Sequence, residues 1–210
     1  LMMALALSWA DESAKKVGRI ATISIGLVFA AVTIVCLRTA YQPVLLSRAH
    51  LQRAGALMRA DMTAAEQGLV DATNADMFDP TPWGHITDVH HANWIRNPSD
   101  HWLDGFSTGA AHWKQLDPKS SSVRRRIGKL FLQIYQKGGD ERHGQEAIAA
   151  LQNAIELYPN SNILHAELAW AHHLTGDKSS AIDAANEALR LDALNPHPEL
   201  QLANRRLFDE

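Results

Sequence analysis

Two stretches decide how this chain is read: Ala147–Pro159, AIAALQNAIELYP, and Ala181–Ala193, AIDAANEALRLDA. Each opens on Ala-Ile, and the two starts lie 34 residues apart. Alanines recur every three or four residues, with larger apolar residues between them. That is the spacing of one helix face, and the alanines would let a second helix approach closely. Each stretch follows another helical segment. Ser121–Gln136 places Ile127, Leu130, Phe131, Ile134 and Tyr135 on one face, with the loop Gly138-Gly139-Asp140 after it. Asn162–Leu174 ends at Thr175-Gly176-Asp177 and leads into Ser179–Leu191. A helix pair that cannot bury its apolar face alone must stack on its neighbours.

Asn162–Ala193 resembles a tetratricopeptide repeat. Leu168-Ala169 match the Leu-Gly pair of the family's first helix, and Gly176-Asp177 match its turn. Ala181, Ala185 and Ala188 match the small positions of the second helix, the middle one usually being larger. Leu189, Leu191 and Asp192 match the closing Leu-x-Leu-Asp, while the family's terminal proline is absent at Ala193. The preceding unit matches through Ala147, Leu151, Ala154, Ile155, Leu157 and Pro159. Its connecting loop is read as expanded by about three residues. His165 and His172 occupy positions where the family carries aromatics, so both are read as packing residues. The resemblance implies an all-α fold of antiparallel helix pairs, a short α-solenoid over residues 120–210. Its groove is expected to receive a protein or peptide partner.

Upstream, residues 43–58 and about 62–75 have helical spacing, with Asp61 as a capping residue. The segment 43–80 is therefore expected to be another helix pair, closing on Asp79-Pro80. Residues 81–119 look different. Pro82, Gly84, Asn97-Pro98 and Gly105 punctuate them, while Trp83, Trp94, Trp102 and Trp113 crowd them. Short helical turns packed by aromatics are expected here. These four tryptophans are the candidate binding segment. Aromatics interleaved with polar groups can stack on sugar rings, although packing is the commoner role.

Toward the N-terminus, Ile20–Leu37 is 18 residues without a charge. As a helix it would be about 27 Å long, enough for a bilayer's hydrocarbon core. Arg19 and Arg38 stand at its ends, where long cations can reach the interface. Residues 20–38 are expected to form a transmembrane helix and to make the lipid bilayer a partner. Leu1–Trp9 reads as the end of a preceding apolar segment, and residues 10–19 as a short loop carrying Lys15, Lys16 and Arg19. Short basic loops favour the cytoplasmic side. The C-terminal domain is thereby expected outside the cytoplasm, on a bacterial inner membrane. This arrangement of apolar segments followed by repeats resembles the C-terminal end of bacterial O-antigen ligase or polysaccharide polymerase-like proteins. That likeness implies a role in cell-envelope glycan assembly, with any active site upstream of this chain.

Composition closes off other classes. With 20 Lys and Arg against 23 Asp and Glu, the formal charge is −3, and no basic field calls for nucleic acid. Arg124-Arg125-Arg126 is read as a solvated helix face. The single cysteine, Cys36, admits no intrachain disulfide and no cysteine-rich zinc site. Eleven histidines include His85, His90, His91 and His101, near Asp88, Asp100 and Asp104. Their spacing matches no helical ligand pair, so no metal or other cofactor is expected. Ser107 lacks the strand that a nucleophile elbow requires. No catalytic motif is present, and the chain reads as a membrane-tethered interaction scaffold.

Overall fold

The computed structural model describes residues 19–197 and 201–202. Leu1–Trp9 and most of the basic loop after it therefore lie outside the described residues. Nine α-helices and no strand occur among the described residues. The chain divides into two compact units, Leu1–Met77 and Phe78–Glu210.

The first unit begins with α1, Arg19–Cys36, whose side chains from Ser24 onward are all exposed. It continues through a wide π-helical turn, Leu37–Tyr41, into α2, Gln42–Leu57. The sequence reading ends one helix at residue 38 and begins the next at residue 43, but the helix runs on through 39–42. Proline has no N–H to donate and its ring crowds the carbonyl four residues back. The chain meets this by widening: Gln42 N–H donates to Leu37 O, five residues back. Thr39 Oγ1 donates to Val35 O at 2.8 Å within the same turn. The stretch is long and apolar enough to cross a membrane, by length and composition.

Next comes α3, Met62–Ala75, capped by Asp61, whose side chain accepts from Ala64 N–H at 3.0 Å. It packs on α2, with Gly68 so close to Ala54 that a methyl group there would lie 3.1 Å from Ala54 Cβ.

The second unit is three helix pairs. They are α4, Thr81–Arg96, with α5, Asp100–Leu116; α6, Ser121–Gly138, with α7, Glu141–Leu157; and α8, Asn162–Leu174, with α9, Lys178–Ala193. Each helix packs on its partner. First helices also pack on the next first helix, α4 on α6 and α6 on α8. Second helices meet the next first helix, α5 on α6 and α7 on α8. This two-way stacking joins Phe106, Ile127, Leu130, Phe131, Ile134, Leu151, Leu168 and Ala171 into one core.

Residues 81–119 correct the expectation of irregular turns, since α4 and α5 are regular helices of 16 and 17 residues. Pro82 sits in the first turn of α4, where its missing N–H costs no helix bond. The glycines are places of contact, not breaks. A methyl group at Gly84 would lie 3.0 Å from the Trp113 ring, and one at Gly109 2.8 Å from Thr87 Oγ1. Only Asn97-Pro98 ends a helix, as read.

The α6–α7 connection is also tighter than read. Instead of an expanded loop, both helices are longer. Gly139, at φ +72°, ends α6, and Asp140 caps α7 by accepting from Arg142 N–H at 3.0 Å. Arg142 beside Asp140 holds that carboxyl down at about 2, so the cap stays ionised. The α8–α9 turn follows the same plan. Gly176 takes φ +87° and Asp177 accepts from Ser180 N–H at 3.1 Å.

Candidate functional site

Three consecutive arginines on α6 define the face formed by the first helices. None is simply solvated, which corrects the reading of a solvated face. Arg124 Nη2 donates to Pro118 O at 2.7 Å. Arg125 turns toward α8 and donates to both oxygens of Glu167, at 2.7 and 2.6 Å. Arg126 turns toward α4 and donates to Asp88 Oδ1 at 3.2 and 3.1 Å. Glu167 is only 5% exposed, and Lys129 Nζ lies 3.9 Å from it. Two cations therefore share one buried carboxylate, and α6 is tied to the first helix on either side.

The same face continues along α6 through Gln133 and Gln136. Between α4 and α6 it opens a cavity of about 600 Å³ lined by His91, Ala92, Ile95, Gln133, Gln136 and Lys137. Lys137 Nζ donates to Ile95 O, which fixes the ammonium at one end. His91 is 7% exposed and its Nε2 has no partner. Burial pushes its pKa down to about 4, with the nearby Arg126 lowering it further and Asp88 and the Leu130 carbonyl opposing. At neutral pH the cavity thus offers carboxamides, one cation and an uncharged imidazole. This mixture suits hydrogen bonding to a polypeptide and supplies no nucleophile with a base beside it.

A second concavity of about 590 Å³ lies between α8 and α9. Ala169, Trp170, Ala181, Ile182, Ala185 and Leu189 line it. Trp170 is 38% exposed, and Ile182 and Leu189 are each 61% exposed.

The residues read from the repeat sit where helices meet. Ala147, Leu151, Ala154, Leu168 and Ala188 are buried, with Gly128 against Leu151 and the Ala147 carbonyl. Ala169, Ala181 and Ala185 floor the end groove, Gly176 and Asp177 make the turn, and Pro159 follows α7. His165 Nε2 lies 3.0 Å from Pro159 O. His172 Nδ1 lies 3.6 Å from Asp177 Oδ2.

The four tryptophans of the candidate binding segment do not form one platform. Trp94 is buried in the core. Trp102 packs edge-on against His90, 5.3 Å between ring centres, and Trp113 covers Gly84. Trp83 stacks on His112 at 4.1 Å. The tryptophan that does line an open groove is Trp170, which the sequence reading misses. Its signal is its place in the repeat Asn162–Ala193, beside apolar residues that no further helix covers among the described residues.

The histidine-rich set is dispersed as well. His90 and His101 have ring centres 5.7 Å apart, while His91 faces Phe106 at 5.9 Å. Among the described residues no three His, Cys, Asp or Glu side chains come together to hold a metal.

The paired helices, glycine turns and two-way stacking decide the architecture. The fold is TPR-like and all-helical. Solved structures share it: a crystal structure of MamA protein has a TM-score of 0.53 at 15% identity, over 74% of this chain and 78% of that one. A second MamA crystal structure has a TM-score of 0.51 at 14% identity, over 75% and 83%. A thermophilic TPR protein of Thermus thermophilus has a TM-score of 0.48 at 17% identity, over 77% and 81%. At such identities the likeness is one of fold alone. No family model and no curated protein matches the sequence.

Proposed function

We propose that this chain is a membrane-tethered scaffold whose first-helix face binds a protein partner. The observation that carries this is the face itself. Its first helices are bridged by the Asp88–Arg126 and Arg125–Glu167 pairs, and beside them lies a cavity lined by Gln133, Gln136 and Lys137. A face that is already ordered loses little side-chain freedom on binding. Its carboxamides can pair with either hydrogen-bonding group of a peptide backbone.

The test places a photo-crosslinking residue at Gln133, at Gln136 and, as a control, at Gln152 on the exposed side of α7. The reading expects one and the same protein captured from both α6 positions and not from Gln152. Capture that is equal at all three positions, or absent from all, sinks it.

The exposed apolar rod of α1 supports the tether. A bilayer core would bury side chains that otherwise face water, at roughly 25 cal/mol per Å². We place the tether in a bacterial inner membrane, with the repeats outside the cytoplasm because of Lys15, Lys16 and Arg19. Alkaline extraction should leave the full chain in the membrane pellet, and release into the supernatant would remove the tether. Maleimide labelling of an Asp183→Cys variant in a Cys36→Ser background should succeed from outside intact inner-membrane spheroplasts. Labelling only after lysis would reverse the orientation.

The apolar character of Leu1–Trp9 favours a second reading, in which the same scaffold is the tail of an O-antigen ligase or polymerase-like protein. Further apolar spans encoded in frame upstream would support it, and a start codon with no such spans would end it.

A further inference from the structure

The first unit holds its cations differently from the second. From Ile20 to Ala60 the sequence has four arginines, Arg38, Arg48, Arg53 and Arg59, and no carboxylate. All four are exposed, and none makes a hydrogen bond or ion pair among the described residues. In the second unit Arg125, Arg126, Arg142 and Arg190 each pair with a carboxylate. On α3, which packs against α2, Asp71 stands 3.9 Å from His50 Nδ1.

Position gives these cations their meaning. Arg38 comes directly after the apolar run Ile20–Leu37, at the level where a bilayer's hydrocarbon would meet its headgroups. Tyr41 and Leu45 follow, 65% and 64% exposed, and Arg48 comes three residues later. Steps of four and three residues keep Tyr41, Leu45 and Arg48 on one side of the helix. Ser47 and Ala54, both buried, mark a different side, the one that receives α3. Arg48 lies about 15 Å beyond Arg38 along the axis, but helical side chains lean toward the N-terminus. Its guanidinium is therefore carried back toward the headgroup layer, which is roughly 6 Å deep. The planar guanidinium fork matches the oxygens of a phosphate, and a tyrosine suits the interface between them.

We infer that Arg38 and Arg48, with Tyr41 and Leu45 between them, form a collar that binds the phosphate groups of anionic phospholipids at the bilayer surface. The collar continues the apolar rod and rests on the reading of α1 as a membrane tether. Its charge is unopposed on its own helix, so it discriminates by headgroup charge as well as by the hydrocarbon below.

The test is native mass spectrometry of the full chain in detergent, mixed with equal amounts of phosphatidylglycerol and phosphatidylcholine. Phosphatidylglycerol adducts should outnumber phosphatidylcholine adducts several-fold. Arg38→Gln/Arg48→Gln should bring that ratio close to one. Arg53→Gln/Arg59→Gln removes the same charge farther from the rod and should leave the ratio unchanged. Equal adducts on the natural chain would overturn the inference. So would an equal loss of preference in both double variants, which would reduce the effect to net charge, or displacement of the lipid by excess inorganic phosphate. Alkaline extraction keeps the two readings apart. A chain that stays in the membrane pellet without a lipid preference loses the collar alone, and a chain that is released loses the tether and the collar with it.

Discussion

The α4/α5 and α8/α9 pairs reach the same shape by opposite means. In α8/α9 the small residues are alanines, in the places the repeat assigns to them, and the turn is a glycine at positive φ. In α4/α5 the close approaches are between a glycine and a ring or a branched side chain. A methyl group at Gly105 would fall 1.8 Å from His90 Nδ1, a far tighter fit than at Gly84 and Gly109, where the nearest atoms would lie 3.0 and 2.8 Å away. The α8/α9 pair leaves an open surface that tolerates variation. The α4/α5 pair is a one-to-one fit in which each glycine is matched to a particular side chain. Repeat architecture therefore constrains where helices approach, not which residues make the approach possible.

The strongest way to break this contrast is Gly105→Ala. His90 is buried against Trp102 and has nowhere to retreat, so a loss of about 3 kcal/mol is expected by urea unfolding. The matching change in the other pair, Ala185→Leu, should shift stability by less than about 1 kcal/mol. Leu151 already fills that place one repeat earlier. Similar losses from both substitutions would erase the distinction.

Next comes the seam between first helices. Arg125→Ala leaves Glu167 buried with only Lys129 nearby, and should cost about 2 kcal/mol. Arg126→Ala, which breaks the more exposed pair with Asp88, should cost under about 1 kcal/mol. A reversed order in chemical denaturation would show that the α4–α6 seam is the stronger one.

The pH dependence sharpens the comparison further. The imidazole of His91 resists protonation down to about 4, whereas the unfolded chain accepts that proton near 6.5. Its contribution to stability is thus level above 6.5 and falls as pH drops from 6.5 to 4. The charges facing it are Asp88 and Arg126. Removing the group with His91→Phe should lessen the acid loss by roughly 1–2 kcal/mol over that window. Superimposable stability–pH curves for the two proteins would rule out the linkage. The smallest effect belongs to the turn: Gly176→Ala forces a side chain into positive φ and should cost about 1 kcal/mol.

Legibility followed the same divide. The bounds of α8, the Gly176-Asp177 turn and the Asp61 cap were readable because each is a local rule: a helical period, a left-handed glycine, a carboxylate accepting from free N–H groups. The α4/α5 pair was not readable, because Gly84, Gly105 and Pro82 have the same local signature whether they interrupt a helix or make room on it. Only the partner side chain, 15 residues away for His90 and Gly105, decides between those roles. The arginine triplet hid its purpose for a like reason. Three adjacent cations look like a solvated patch until Asp88 and Glu167, on different helices, are brought to either side. Trp170 was overshadowed by the denser tryptophans of residues 83–113, which the fold distributes over separate contacts.

The wide turn at Leu37–Tyr41 sets a phase. One extra residue in a helical turn rotates every side chain after it by about 100° about the axis. The face on which α2 receives α3, marked by Ser47 and Ala54, is therefore aimed by that single turn relative to the apolar rod before it. The rod and the hairpin are geared together: shortening the turn by one residue would leave the composition of both almost untouched and point the hairpin a quarter-turn away.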